Sequence, residues 1–267
     1  MIEKSTRRFG DWVALFYIAA FGSIVLFPFV YKDIIPSLSV HGILLLIASV
    51  VILFAGLLDF EALRIGKISV IEPMYALEIP VAAILAAYVI HEKLSASQII
   101  FMIALMIGIF LISTRSFHAF KSIHTEKGIW QALIATIGMG AVNFLFGVGS
   151  RETSPLMVNW FTSFFIAIVT LVYLIFTSRA NEIVADIKKR KLLVLGVSLF
   201  DNLAWVAFSY SMLFIPIAIA TGISEGYIAF AGALGLVINK EKLKSHQWAG
   251  FFLVVISVVL LAFVTDK

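Results

Sequence analysis

The chain contains no cysteine, which excludes disulfides and thiolate metal sites and leaves the redox compartment open. Charge is scarce too: Asp, Glu, Lys and Arg make up 13% of 267 residues, against about 25% in a soluble domain. With 61% hydrophobic residues and a mean hydropathy of +1.05, neither a water-soluble globule nor a disordered chain is compatible with this composition. The net charge of +4 and pI near 9.2 do not make it a nucleic-acid binder. Its basic residues sit in short loops between apolar runs, as the flanking charges of a membrane protein do. Catalytic signatures are missing as well. There is no H-E-x-x-H, no Ser/His pair at matching depth and no nucleotide-binding segment, which disfavours a membrane-embedded enzyme and an ATP-driven pump. The five histidines, His41, His91, His118, His124 and His246, lie in or beside loops without metal-ligand spacing.

What is present is a series of long apolar runs. A helix crosses roughly 30 Å of hydrocarbon in about 20 residues, and nine segments qualify: 12–31, 38–58, 69–90, 97–114, 128–148, 157–177, 192–211, 214–238 and 246–264. The alternating pattern of a β-barrel is absent, so the spans must be helices, which satisfy their own backbone polar groups in lipid. Lys4, Arg7 and Arg8 precede the first run, and Ile18-Ala19-Ala20 offers a weak cleavage site. The run continues through Val30, longer than a signal-peptide core, and is read as a transmembrane helix. The basic, amphipathic 178–191 stretch is expected to lie against the inner leaflet. With the N-terminus inside, sixteen Lys and Arg fall on the inner side and four on the outer, which places Lys267 outside.

The chain also matches itself at an offset of 149. Glu92-Lys93-Leu94 falls on Glu241-Lys242-Leu243 and Gln98 on Gln247; Ile68, Ile79, Ala82 and Leu85 fall on Ile217, Ile228, Ala231 and Leu234. These are eight identities in 31 positions. The polar E-K-L-x-x-x-Q after the same long helix is the informative part, because apolar matches are cheap in such a composition. The matched helices are the third and the eighth, an odd number apart, so the copies must face opposite ways across the bilayer. Inverted repeats of this kind build secondary transporters around a central site. The domains expected are a first repeat at 1–114, a connecting loop at 115–127 and a second repeat at 128–267. The helix at 128–148 has no counterpart in the first copy.

The stretch Ala62-Leu63, Ile68-Ser69, Pro73, Pro80, Glu92-Lys93-Leu94 and Gln98, followed by an apolar helix, resembles the EamA-type half of the drug/metabolite transporter superfamily. The segment from Ser211 to Phe263, with Glu241 and Gln247, is similar to the other half. The resemblance covers the chain from about residue 38 onward. It implies a bundle of two inverted five-helix repeats that moves small organic solutes such as amino acids, amines or drugs. Two departures stand out: nine helices instead of ten, and a charge count that puts Lys267 outside where typical members keep both termini in the cytoplasm. The expected fold is therefore an all-α, polytopic inverted-repeat bundle of about nine transmembrane helices in the plasma or inner membrane.

Ionisable groups in mid-membrane are expensive, so each one inside a span points to function. Glu78, Asp201 and Glu225 lie within about two residues of their span centres, and no Lys or Arg reaches a comparable depth. Three central acids without a basic partner must bind protons, bind a cationic group or line water. This favours a cationic or zwitterionic solute, with protons as a candidate coupling ion. Asp201 and Trp205 share a helix face, Thr221 precedes Glu225 by one turn, and Tyr75 precedes Glu78. The expected substrate-binding set is Glu78, Asp201, Glu225, Tyr75, Trp205, Asn202 and Tyr227, the aromatic rings offering cation–π faces. The alternative for the acids is hydrogen bonding that only holds the bundle together, and for the aromatics it is ordinary packing. Asn143 is open between solute contact and interhelical bonding, and Glu72 sits near an interface. Glu92 and Glu241 are expected to cap the helices that follow them. Pro80 and Pro216 are expected to bend helices or mark an entry, and the Gly138-Met139-Gly140 and Gly147-Val148-Gly149 pairs to allow close packing. No cofactor, metal or catalytic residue is expected, and no nucleic-acid partner. The function expected is alternating-access transport; the alternative is a non-transporting membrane receptor or assembly scaffold.

Overall fold

The computed structural model describes residues 10–66, 68–114, 127–230 and 243–265 and, within these, the side chains of all but 68–70, 72 and 182–189. The Glu72 side chain, Glu241, His118 and His124 lie outside the described residues. The described chain is helical: α1 Asp11–Val30, α2 Ile34–Ile65, α3 Ile68–Tyr75, α4 Glu78–Val89, α5 Ala96–Ser113, α6 Ile129–Glu152, α7 Pro155–Phe176, α8 Ala180–Ser211, α9 Ile217–Glu225 and α10 Ser245–Thr265. Seven segments among the described residues are long and apolar enough to cross a membrane. The other two expected spans correspond to the shorter apolar stretches Pro73–Val89 and Ile217–Phe230.

Local chemistry sets the helix ends. Ser95 caps α5 by accepting from the Gln98 N–H while the Gln98 side chain accepts from the Ser95 N–H, a reciprocal capping box. Ser154 caps α7 by accepting from the Met157 N–H at 3.0 Å, and Pro155 occupies the first helical position, where its missing N–H costs nothing. The same helix ends as the Arg179 and Ser178 N–H groups turn back to the Leu174 and Ile175 carbonyls, with Ser178 at φ 58°. In α8 the helix geometry breaks at Arg190, between the basic stretch and the apolar part that is long enough to span.

The chain divides into two compact units that do not follow the sequence halves. Unit 1 comprises residues 1–64 and 145–214; unit 2 comprises 65–144 and 215–267. In unit 1, α1 and α7 run antiparallel. Trp12 stacks on Tyr173 at 3.7 Å near one end, and Phe27 meets Trp160 at 6.1 Å near the other. The Trp160 indole N–H donates to the Ser23 carbonyl at 3.2 Å. α8 packs against both helices, and Ala14, Leu15, Ala19, Leu53, Phe60 and Ile166 form an apolar core.

In unit 2 the tightest pair is α5 with α10. A Cβ on Gly250 would lie 2.6 Å from the Ile112 nitrogen and 2.7 Å from the Gly108 oxygen, so the backbones are in contact. Between lipid-solvated helices this is the expected source of association, because lipid tails are as apolar as the side chains they cover. Gln98, at the start of α5, donates to Thr265 at the end of α10 (3.4 Å). Gln247, near the start of α10, donates to the Ile112 carbonyl near the end of α5 (2.9 Å). The pair is therefore antiparallel, and each helix reaches the far end of the other. α9 packs on α4 and α5, and Ile79, Leu105, Ile109, Ile219 and Leu261 are fully buried.

Candidate functional site

The expected span at 69–90 is interrupted. α3 ends at Tyr75 and α4 begins at Glu78. Pro80 explains the position of the gap: it has no N–H to offer the Ala76 carbonyl four residues back, and its ring crowds that carbonyl. The proline expected to bend the helix thus ends one helix and lies in the first turn of the next. α9 ends at Glu225, but the Gly226 N–H still donates to the Gly222 carbonyl at 3.2 Å and its backbone stays right-handed helical, so the apolar stretch Ile217–Phe230 continues through it. Gly226 packs against α10 so closely that a Cβ would meet Val258 at 2.9 Å. Pro216 is the residue just before α9, at the start of that helix and not within it.

Glu78 stands at the interruption after Tyr75 and is buried, 7% exposed. Its carboxylate accepts a 3.0 Å hydrogen bond from the Asn143 side-chain amide on α6, which is itself 4% exposed. Gly140, one turn before Asn143, brings α6 to this spot: a Cβ there would lie 2.6 Å from the Val81 Cβ and 3.0 Å from the Glu78 carbonyl oxygen. Tyr75 is buried on the other side of the same gap. Glu225 and Tyr227 flank Gly226, Glu225 half-buried and Tyr227 exposed.

The remaining expected residues lie in unit 1, all on α8. Asp201 and Trp205 are half-buried, and the Trp205 ring packs on Phe146 at 4.8 Å and Phe208 at 5.9 Å. One turn before Asp201, Ser198 is buried and its hydroxyl has no hydrogen-bond partner among the described residues. Asn202 spends both amide hydrogens on carbonyls, Ile18 of α1 at 3.0 Å and Ser198 at 2.8 Å. A Cβ on Gly22 would fall 2.0 Å from the Asn202 side-chain oxygen, so this amide fits a notch in α1 and ties the two helices together. The structure thus groups Tyr75 and Glu78 in one unit and Asp201, Asn202 and Trp205 in the other.

Two polar contacts were not expected from sequence, one of them buried. Asn159 donates to the Ser209 hydroxyl at 2.7 Å, and the Arg151 guanidinium donates to the Met212 carbonyl at 2.8 Å. Asn159 gives the same sequence signal as Asn143, an amide inside an apolar run. Glu92 does cap a helix, though not the one that follows it. Its carboxylate accepts from the Ile217 N–H at the start of α9, 2.8 Å away. Among the described residues no group of three or more His, Asp or Glu side chains is placed to hold a metal ion.

Comparison with known proteins gives this arrangement a family. An uncharacterised protein of Haemophilus influenzae is 25% identical over 190 residues, which cover 69% of this chain and 62% of that protein. The chain therefore matches less than two thirds of that relative's length. A solved crystal structure with 12% sequence identity superposes with a TM-score of 0.75, covering 99% of this chain and 91% of the other; this likeness establishes the fold. The model of the EamA-like transporter family matches residues 1–114 and 126–263, so the match extends to the first helix and is not limited to residues after 38. The chain belongs to the EamA-like transporter family.

Proposed function

We propose that the protein is a secondary transporter of the plasma or inner membrane that carries a small organic solute, cationic or zwitterionic, by alternating access. The observation that carries this reading is Glu78, a carboxylate buried at a helix interruption and hydrogen-bonded by a neutral amide. Interrupted helices place polar backbone and side chains at membrane depth, where transporters bind their solutes. An acid there, in a chain with no Lys or Arg near any span centre, is suited to a positively charged group or to a proton that couples to its movement. Asp201 in unit 1, with Trp205 one turn away, and Glu225 in unit 2 are the other acids near their span centres.

The inverted-repeat reading, with copies at 1–114 and 128–267, gains support from three correspondences. The ends of α3 at Tyr75 and of α9 at Glu225 fall at the 149-residue offset to within one residue. Gln98 and Gln247 accept from the backbone N–H three positions earlier, at Ser95 and Lys244. α5 and α10 contact each other reciprocally and antiparallel, as two inverted copies of one helix would.

The test is a thermal-shift screen of the purified protein against amino acids, polyamines, quaternary amines and nucleosides, followed by uptake of any hit in proteoliposomes. A ligand raises the melting temperature by binding the folded state. Asp201→Asn and Glu225→Gln are expected to fold, to lose the ligand-induced shift and to lose uptake. Wild-type uptake in both variants overturns the site assignment. A flat response of well-folded protein to every cationic compound favours the scaffold reading.

A further inference from the structure

We infer that Ser198 is a specificity-determining residue of the Asp201 site, and that the positive group it selects is an ammonium bearing N–H bonds, not a quaternary one; this rests on the transport reading above. Ser198 stands out by what its hydroxyl does not do. The buried hydroxyls of Ser49, Thr136, Thr162, Thr170 and Thr221 each donate to the carbonyl four residues back, at 2.6–2.9 Å, which satisfies them within their own helix. Ser198 is 1% exposed, yet its hydroxyl makes no hydrogen bond to any described residue. Its carbonyl accepts from the Asn202 amide at 2.8 Å, and the same amide reaches the Ile18 carbonyl of α1 at 3.0 Å. That bond to α1 fixes the rotation of α8 at this level.

Asp201 lies one turn on, half-buried in the middle of the segment Arg190–Ser211. Among the described residues no hydrogen-bond donor and no charged side chain acts on its carboxyl group. The undescribed side chains of α8 end at 189, about 13 Å of helix before Ser198. Residues three apart are neighbours on a helix surface, with Cβ atoms about 5–6 Å apart, so a single nitrogen atom can meet both side chains at hydrogen-bond length. An ammonium with N–H bonds donates one to the Asp201 carboxylate and another to the Ser198 hydroxyl oxygen. A quaternary ammonium has no N–H to give. It keeps the attraction of the carboxylate and leaves the hydroxyl unsatisfied. One turn beyond Asp201, Trp205 packs on Phe146 at 4.8 Å and offers an aromatic surface to an apolar body of the solute. The class that fits is a primary or secondary amine carrying a ring or an apolar chain.

The experiment uses the full chain in detergent, with phenethylamine, its N,N,N-trimethyl analogue and hydrocinnamate as the anionic control, read by thermal-shift titration. Wild type is expected to bind phenethylamine about tenfold tighter than the trimethyl analogue, roughly 1.4 kcal/mol, and to ignore hydrocinnamate. Asp201→Asn is expected to lose the response to both cations. Ser198→Ala is expected to weaken phenethylamine about tenfold, to the level of the trimethyl analogue, whose affinity stays where it was. Its ligand-free melting temperature is expected to hold or rise, because the variant removes a buried polar group that has no partner. Ser198→Cys, close in volume but a weak hydrogen-bonding atom, is the second variant and is expected to show the same loss. A residue that only packs the helix would leave the preference for the primary amine intact in both variants. An unchanged preference in folded Ser198→Ala or Ser198→Cys, or a wild type that binds the trimethyl analogue as tightly as the amine, overturns the inference while the Asp201 cation site stands. No cation response in wild type, or an undiminished one in Asp201→Asn, overturns the cation-site reading itself.

Discussion

The Glu92 carboxylate and the Ile217 N–H are 125 positions apart in sequence and 2.8 Å apart in space. The first N–H groups of a helix have no internal partner, and a carboxylate there both accepts a hydrogen bond and meets the positive end of the helix dipole. Glu92→Ala should lower stability by about 1 kcal/mol. Unfolding in mixed micelles would measure the loss, and faster amide exchange confined to 217–220 would locate it. Sequence told that Glu92 caps something, because its spacing from an apolar helix is that of a cap. It did not tell which helix, because α5 already owns a cap in Ser95 and Gln98, and the choice between local and distant N–H groups is made by packing. The pairing of Glu78 with Asn143 was hidden for the same reason. Each residue was visible as a polar intruder in an apolar run, but nothing in either run names the other.

Among the elements, α5 and α10 show how close approach replaces the hydrophobic effect as the cohesive force in lipid. Gly250 faces backbone atoms of Ile112 and Gly108, which cannot step aside as a flexible side chain would. Gly250→Ala should therefore destabilise the protein by about 1–3 kcal/mol through forced separation of the two helices, checked by the unfolding midpoint against Gly42→Ala, where nothing lies within 4 Å of the added carbon. The spans themselves were legible because hydropathy averaged over about 20 residues locates them. The same averaging erased the interruption after Tyr75, which occupies only two residues. Pro80 was the local signal for it, and its effect falls on the carbonyl four residues earlier.

At the scale of the whole molecule, each compact unit draws on both halves of the sequence: 1–64 with 145–214, and 65–144 with 215–267. α1 finds its partner in α7 and α5 in α10. Residues 1–114 expressed alone should therefore insert without reaching a protease-resistant state, whereas co-expression with 126–267 should restore resistance and co-purification. Protection of the first fragment by itself would contradict this interdependence. Sequence gave the offset of 149 that anticipates such pairing, but a self-match along the chain does not say which helices touch. The Gln98–Thr265 bond has a further consequence for biosynthesis. α5 leaves the ribosome about 150 residues before the end of α10, a delay of roughly 8–30 seconds at ~5–20 residues per second. For that interval the Gly108 notch and the Gln98 amide face lipid or the insertion machinery, and unit 2 is completed only after α10 has entered the bilayer.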